Sequence, residues 1–173
     1  MTSRVTRWPG VEVDAKAIES GVVTSVRYRP SAKFAWSAGE AMSRFLAELQ
    51  EGRLIARTCS GCDRVLFPPR MFCEECYRPT DTWVYVRDSG TIETYSISYL
   101  DTDARRIKEP ILVGVISVDG ASPKMGLMHY FGEMTPEEIR IGMKVKAKWK
   151  PPEKRVGSVL DIEYFRPLRE REG

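Results

Sequence analysis

The stretch TCSGCDRVLFPPRMFCEECYRP, residues 58–79, contains every cysteine of the 173-residue chain. The cysteines form two Cys-x-x-Cys pairs, Cys59 with Cys62 and Cys73 with Cys76, and ten residues separate the pairs. One such pair presents two sulfurs from a tight turn, and a second turn nearby completes a tetrahedron. Gly61 suits the special backbone angles that we expect in the first turn. The spacing predicts one structural metal site with all four cysteines as ligands.

Other uses of the thiols are weaker alternatives. A thioredoxin-like redox site needs only one pair, and two disulfides conflict with a reducing cytoplasm. We expect a cytoplasmic location because the N-terminus has no secretory signal and no run of 18 apolar residues exists to span a membrane. Closed thiolate cages favour Zn²⁺, although iron fits the same cage. A rubredoxin-type electron carrier therefore remains open as a rival to a zinc ribbon.

The composition excludes several functions. The chain is 42% hydrophobic and 29% charged, which is ordinary for one globular domain or two small ones. Its net charge of +3 is too low for a protein that mainly coats nucleic acid. The single histidine, His129, falls inside a predicted strand and is expected to pack there. No nucleophile–base pair, paired carboxylates or phosphate-cradling glycine loop is visible, so we expect no catalytic machinery.

A helical pattern precedes the cysteines. Ser37 and Glu40 have the spacing of a capping box, and Gly52 ends the pattern. The apolar residues recur at helical spacing on one stripe. This stripe predicts either a core-facing helix or a helix that docks on a partner, and both remain open. The partner-docking candidates on it are Met42, Phe45, Leu46 and Leu49.

After the cysteines the apolar period changes to two, which is typical of β-strands. Thr135, Pro136, Glu138 and Gly142 predict a short helix by their capping and terminating positions. Five strands with one helix between the third and fourth is the chain order of an OB-fold barrel. The strands are predicted at residues 90–100, 111–119, 124–131, 143–150 and 156–165, and the helix at 135–142.

The predicted fold is therefore mainly β, with a helical segment and a rubredoxin-like zinc ribbon before a five-stranded OB barrel. The boundaries that we predict are an N-terminal arm at 1–30, the helical segment at 31–52, the ribbon at 53–82, the barrel at 83–168 and a tail at 169–173.

Basic residues cluster on the predicted barrel. Four lysines of MKVKAKWK alternate, so a strand places them on one face, with Val145, Ala147 and Trp149 facing the core. The loops predicted at 103–110 and after the fourth strand are also basic, and OB barrels often bind ligands with these two loops. The cations either hold phosphates or form a solvated, aggregation-resistant face. The phosphate candidates are Arg70, Arg105, Arg106, Lys108, Lys144, Lys146, Lys148, Lys150, Lys154 and Arg155.

Three features together resemble a known family. They are the helical N-terminal segment, the cysteine pairs around LFPPR, and a barrel with IGMKVKAKW that closes with DIEYFRP. Over roughly residues 31–168 the chain resembles the small zinc-ribbon/OB-fold proteins associated with acyl-CoA enzymes, a former domain of unknown function. In this resemblance Cys59, Cys62, Cys73 and Cys76 match the family's zinc ligands.

The resemblance implies a non-catalytic accessory subunit. Such proteins accompany thiolase-fold enzymes, including hydroxymethylglutaryl-CoA synthase, and aldolases acting on acyl-CoA thioesters. They help to assemble the complex or hold the CoA part of the substrate. The implied partners are an enzyme subunit in a hetero-oligomer and acyl-CoA. A nucleic-acid-binding zinc-ribbon/OB module remains the alternative, and a membrane partner is not expected.

Overall fold

The computed structural model of the chain describes residues 13–24, 26, 30–33 and 35–168. Its backbone divides into two units between Trp36 and Ser37. In the first unit, helix α1 (Ala15–Glu19) begins where the Asp14 carboxylate accepts a hydrogen bond from the backbone N–H of Ala17 at 2.7 Å. The tail at 169–173 and positions 1–12, 25 and 27–29 of the predicted N-terminal arm lie outside the described residues. No described helix is long and apolar enough to cross a membrane.

Helix α2 (Gly39–Gln50) opens the second unit, as the apolar stripe predicts. Phe45 and Leu49 are 0% exposed, and the Phe45 ring packs edge-on against Phe67 of the ribbon at 5.6 Å between centroids. The prediction that these two residues dock a partner is therefore wrong, because the chain's own core buries them. Met42, 37% exposed, and half-buried Leu46 stay candidates.

The predicted capping box does not form at the start of α2. Gly39 has a φ of +68°, and this turn directs its N–H to the Ser37 hydroxyl at 3.3 Å. No side chain caps the helix N-terminus, so the pairing of Ser37 with Glu40 was wrong. The predicted end is confirmed: Gly52 has a φ of +75°, and its N–H donates to the carbonyl of Leu49.

Three short strands form the ribbon sheet in the order β2-β1-β3, with both pairs antiparallel. Ser122, in the barrel, donates its backbone N–H to the carbonyl of Val65 and accepts the Val65 N–H on its hydroxyl. Ribbon and barrel are thus hydrogen-bonded to each other, and one hydrophobic core is continuous through them. The strands are β1 (Leu54–Cys59), β2 (Arg64–Leu66) and β3 (Trp83–Val86).

Five further strands form the barrel sheet in the order β6-β5-β4-β7-β8, all pairs antiparallel. A parallel bridge between Phe131 and Phe165 joins the two edges, as closure of an OB barrel requires. The predicted mainly β fold is confirmed. The strands are β4 (Ser89–Leu100), β5 (Arg106–Val118), β6 (Gly126–Tyr130), β7 (Lys144–Trp149) and β8 (Ile162–Pro167).

The helix predicted at 135–142 is wrong. Thr135 accepts backbone N–H bonds from Glu138 and Ile139, and the Glu138 carboxylate accepts the Thr135 N–H at 2.7 Å, so one turn forms. It does not extend, because Gly142 donates to the Ile92 carbonyl and the chain joins β4. A single turn gains too few hydrogen bonds to continue against that pairing. Ile139 is buried at this end of the barrel.

Two other boundaries differ from the predictions. The predicted loop at 103–110 is shorter, because β5 already begins at Arg106 and pairs with Leu100. Residues 156–161 are not strand, since the buried Asp161 carboxylate accepts backbone N–H bonds from Val156, Gly157 and Ser158 and holds them in a compact turn. A chain whose N–H groups point at one carboxylate cannot pair with a neighbouring strand.

Candidate metal centre and binding surfaces

The four cysteine sulfurs converge. All lie within 4.8 Å of one another, with Cys59 and Cys76 at 3.5 Å and Cys62 and Cys73 at 3.9 Å between Sγ atoms. Ligands about 2.3 Å from one ion at tetrahedral angles are about 3.8 Å apart, so these separations fit a tetrahedral thiolate cage. They are far longer than a disulfide bond, and all four cysteines are free.

Each sulfur pair lies on a matching turn. The residue after the second cysteine of each pair, Asp63 or Tyr77, has a left-handed backbone with φ of 50° or 57°. The expectation that Gly61 supplies special backbone angles is therefore wrong, since its φ is not in that region. Gly61 instead leaves space, because a Cβ there would lie 3.2 Å from the Arg78 guanidinium and 3.7 Å from Cys76 Sγ.

The local electrostatics favour thiolate at one sulfur first. Backbone N–H groups of Cys76 and Glu75 lower the pKa of Cys73 to about 7. The neighbouring thiol of Cys76 and burial raise the pKa of Cys62 to about 12. Four thiolates this close repel one another, and a divalent cation at their centre removes that cost.

A buried arginine connects the ribbon strands to the segment after the cysteines. The Arg57 guanidinium donates to the Thr80 hydroxyl and carbonyl and to the Asp81 carbonyl, and lies 4.6 Å from the Trp83 ring centroid. Asp81 in turn accepts the backbone N–H of Ser60, between the first two cysteines. This network positions the first cysteine turn, and the sequence carried no motif that predicted it.

The predicted phosphate cations are not one group. Four of them pair with carboxylates of the chain itself: Arg70 with Glu74, Arg105 with Asp103, Lys144 with Asp119 and Lys148 with Glu133. Strand β7 does place Lys144, Lys146 and Lys148 on the outer side, with Val145 and Ala147 buried. Half-buried Trp149 packs on the core, and its indole N–H donates to Asp88 at 3.2 Å.

The outer side of the same sheet also carries an uncharged patch where β4, β5 and β6 pair, although exposed Glu93 and Glu109 lie in the same strands. Cross-strand pairing places Val115 between Thr94 and Met128, and Val113 between Ser96 and Tyr130. We call this surface the neutral face; it consists of Thr94, Ser96, Ser98, Ile111, Val113, Val115, Met128 and Tyr130. It contains no charged side chain, whereas β7 and β8 present lysine and arginine on the same side of the sheet.

A small cleft borders the neutral face. It holds about 160 Å³ and is lined by Val113, Met128, His129, Tyr130, Val159 and Leu160. Met128 is 71% exposed and Tyr130 47%. His129 is buried in β6, as expected, and burial lowers its pKa. The continuous apolar run ILVGVISV (111–118) was the sequence signal for this surface, since a strand apolar at nearly every position has two apolar faces.

A thiolate cage on a three-stranded ribbon, followed by an OB barrel, defines a zinc-ribbon/OB-fold protein. Comparison with known families agrees: residues 46–82 match the ChsH2 rubredoxin-like zinc ribbon domain, and residues 83–150 match the ChsH2 C-terminal OB-fold domain. The two matches cover more than half of the chain. The chain therefore belongs to the ChsH2 zinc-ribbon/OB-fold family, which confirms the resemblance.

Individual relatives share the architecture. A DUF35 domain-containing scaffold protein of Methanocaldococcus jannaschii is 26% identical over 98 residues, which span 56% of this chain and 67% of that protein. The crystal structure of a DUF35 family protein of unknown function from Sulfolobus solfataricus superposes with a TM-score of 0.53 and 26% identity, over 63% of this chain and 78% of the other. The Ltp2-ChsH2(DUF35) aldolase structure covers 77% of this chain and 98% of the matched chain, with a TM-score of 0.54; at 19% identity this likeness shows the fold.

Proposed function

We propose that this protein is a non-catalytic accessory subunit of a thiolase-fold or aldolase-like enzyme that acts on acyl-CoA. The observation that carries the proposal is the neutral face. Solvated antiparallel sheets normally alternate apolar and polar residues, and strand β5 does not. No described residue covers Ile111, Val113 and Val115 completely, and all three are half-buried. An apolar centre with depleted charge is the composition of a subunit interface.

The ribbon has a structural role in this proposal. Four protein sulfurs complete the coordination of one Zn²⁺ and leave no position for substrate. The sulfur geometry fits that ion, and Cys59, Cys62, Cys73 and Cys76 would hold it. The metal would fasten the segment between β1 and β3, which adjoins the α2 side of the core. The chemistry would then belong to the partner enzyme.

The names of the relatives support an assembly role. One is called a scaffold protein, and another is the ChsH2(DUF35) part of an aldolase complex with Ltp2. The same complex makes an aldolase-like partner a direct candidate for this chain. A thiolase-fold partner and a contact with the CoA part of the substrate rest on the sequence resemblance.

The bordering cleft suits a protein partner better than a cofactor. Its volume of about 160 Å³ is below the range of roughly 300–1,000 Å³ typical of small-molecule sites. A cleft of this size accepts one bulky apolar side chain, the usual form of an interface anchor. Met128, Tyr130 and Leu160 would surround that side chain.

The geometry is less favourable to nucleic-acid binding. Single-strand binding needs exposed aromatic rings beside a basic groove. Trp149, beside the lysines of β7, is half-buried and packed on the core, its indole N–H engaged by Asp88 and its ring covered by Arg155. Fluorescence polarisation with labelled single strands at low salt tests this alternative, and binding there would favour it over the accessory role.

The accessory role is tested by affinity capture of the tagged full chain after nuclease treatment, with partners identified and their stoichiometry measured by mass spectrometry. A thiolase-fold or aldolase-like subunit in a fixed ratio is expected. Met128→Lys should abolish its recovery, because a charge on the neutral face would be buried unpaired. Ile141→Lys places the same charge on an exposed apolar residue elsewhere and should leave recovery unchanged. Equal recovery with both variants would exclude the neutral face, and absence of any such enzyme would contradict the role.

A further inference from the structure

A second cavity lies on the far half of the barrel sheet, away from the neutral face. It holds about 380 Å³ and lies where the chain passes from β3 to β4, beside strand β7. This volume is within the range of small-molecule sites. Its lining residues are Arg87, Asp88, Ser89, Asp119, Lys144, Lys146 and Leu168.

The two carboxylates of the cavity already have partners. Asp119 accepts from Lys144 Nζ at 2.9 Å and from the Ser89 hydroxyl at 2.7 Å, and although burial alone would raise its pKa, these partners bring it below its usual value. Asp88 accepts the indole N–H of Trp149. Lys144 is therefore paired with Asp119. The cavity contains two further cations, Arg87 and Lys146.

Among the described residues, neither of those cations, Arg87 or Lys146, forms an ion pair with a carboxylate, although the charge of Arg87 also helps to lower the pKa of Asp119. Lys146 is half-buried, directly opposite Ser89 on β4 and directly opposite Arg166 on β8. Among the described residues, Lys146 is thus the cation of the cavity that no carboxylate engages.

The backbone around these cations is held in place. Arg87 donates its N–H to the Asp119 carbonyl, Asp119 donates to the Ser89 carbonyl, and Ala147 donates to the Asp88 carbonyl. Both sides of the cavity are therefore joined by main-chain hydrogen bonds at distances of 2.7–3.0 Å. A site on such a frame needs little reorganisation to receive a ligand.

We propose that the cavity between Arg87 and Lys146 binds the phosphate group of a nucleotide-type ligand. An arginine fork matches phosphate oxygens in pairs, and a lysine adds a point charge. Asp88 and Asp119 confine the anion to the Arg87 and Lys146 side. Leu168 contributes an apolar contact for the rest of the ligand. The identification of that ligand as the nucleotide end of CoA rests on the proposed function, whereas the site itself does not.

The cavity also divides the predicted phosphate cations. Arg87 was not among them, because it lies between β3 and β4. The predicted cations came instead from the ribbon, from the two basic loops of the barrel and from the alternating lysines. Lys146 was among them, as one of four alternating lysines. Only the folded chain brings these two residues to one cavity, where the lysine neighbours on each side, Lys144 and Lys148, are already paired with carboxylates.

The test is isothermal titration calorimetry of the full, zinc-loaded chain without any enzyme partner, at physiological salt. The probes are inorganic pyrophosphate, CoA, ADP and ATP. Arg87→Ala and Lys146→Ala should each weaken binding about tenfold or more, because each removes a charged hydrogen bond. Arg140→Ala removes an equal charge from an exposed position that does not line the cavity and should change affinity less than twofold. Thermal unfolding checks that every variant is folded.

The outcomes separate the possible ligands. CoA binding that exceeds ADP and ATP binding supports the site and assigns it to CoA, whereas equal binding of all nucleotides supports a general phosphate site. A second readout is the indole resonance of Trp149, which should shift on binding because its partner Asp88 lines the cavity. Absence of binding by any probe, or an equal loss in Arg140→Ala, would overturn the proposal. Neither result bears on capture of an enzyme partner, so the two proposals fail separately.

Discussion

His129 Nε2 lies 3.1 Å from the carbonyl oxygen of Val159, and this hydrogen bond joins β6 to the turn that precedes β8. A carbonyl only accepts, so Nε2 carries a proton in this contact. Nδ1 is buried and has no hydrogen-bond partner among the described residues. The ring also packs edge-on against Tyr130 and Phe165. A second proton, on Nδ1, would therefore find no acceptor among the described residues.

Stability should decrease as the pH falls below about 6.5. Burial lowers the pKa of His129 in the folded chain, although the Val159 carbonyl opposes part of the shift. The unfolded chain then binds more protons just below the ordinary value, so unfolding becomes more favourable there. His129→Gln keeps an N–H donor without the titration, and should flatten this dependence in urea unfolding between pH 5 and 7.5. His129 is the only histidine, so an unchanged slope would contradict the argument.

The metal centre should contain one zinc per chain by elemental analysis. Removal of the metal, or Cys73→Ser, should expose the backbone amides of residues 53–82 to hydrogen exchange, since the ribbon sheet is short and its turns depend on the ion. Asp63→Asn is the matched control, because asparagine accepts the left-handed backbone and the carboxylate is not a ligand. It should keep the zinc. Iron in place of zinc would instead favour an electron carrier.

Asp161→Asn should destabilise the chain by about 1–3 kcal/mol, since an amide nitrogen would face backbone N–H donors in a buried turn. Burial alone would raise the pKa of Asp161, but the N–H groups of Ser158, Val156 and Gly157 bring it below its usual value. The ionised Asp161 carboxylate therefore contributes its full stabilisation of the folded chain above about pH 4, and this contribution is lost as the pH falls further. Urea unfolding from pH 2 to 5 should show this loss in the native chain and a weaker one in the variant.

Phe45→Ala should reduce the free energy of unfolding by about 3–5 kcal/mol, because it empties a fully buried site between α2 and the ribbon. Met42→Ala, on the same helix but 37% exposed, should cost about 1 kcal/mol or less. Urea unfolding of both variants measures the difference. An equal loss of unfolding free energy in the two variants would mean that the apolar stripe of α2 does not pack on the core as described.

Local patterns predicted the parts of this protein whose physics is local. The cysteine spacing predicted which four sulfurs would meet, because a two-residue gap closes a turn wherever it occurs. Alternating or continuous apolar runs predicted strands β4 to β7, and Gly52 predicted the end of α2. The same local rules failed at 135–142 and 156–161, where a strand pairing and a buried carboxylate compete for the backbone.

The amino-acid sequence by itself therefore determined the order of the barrel strands along the chain, the ribbon and the set of cysteines that meet. Turns and pleated strands follow from neighbours along the chain. Only the tertiary structure decided that Phe45 faces inward, that residues of β4 to β6 meet in the neutral face, and that Arg87 joins Lys146 in one cavity. These relations depend on residues that are distant along the chain, whose contacts arise from core packing, sheet register and barrel closure.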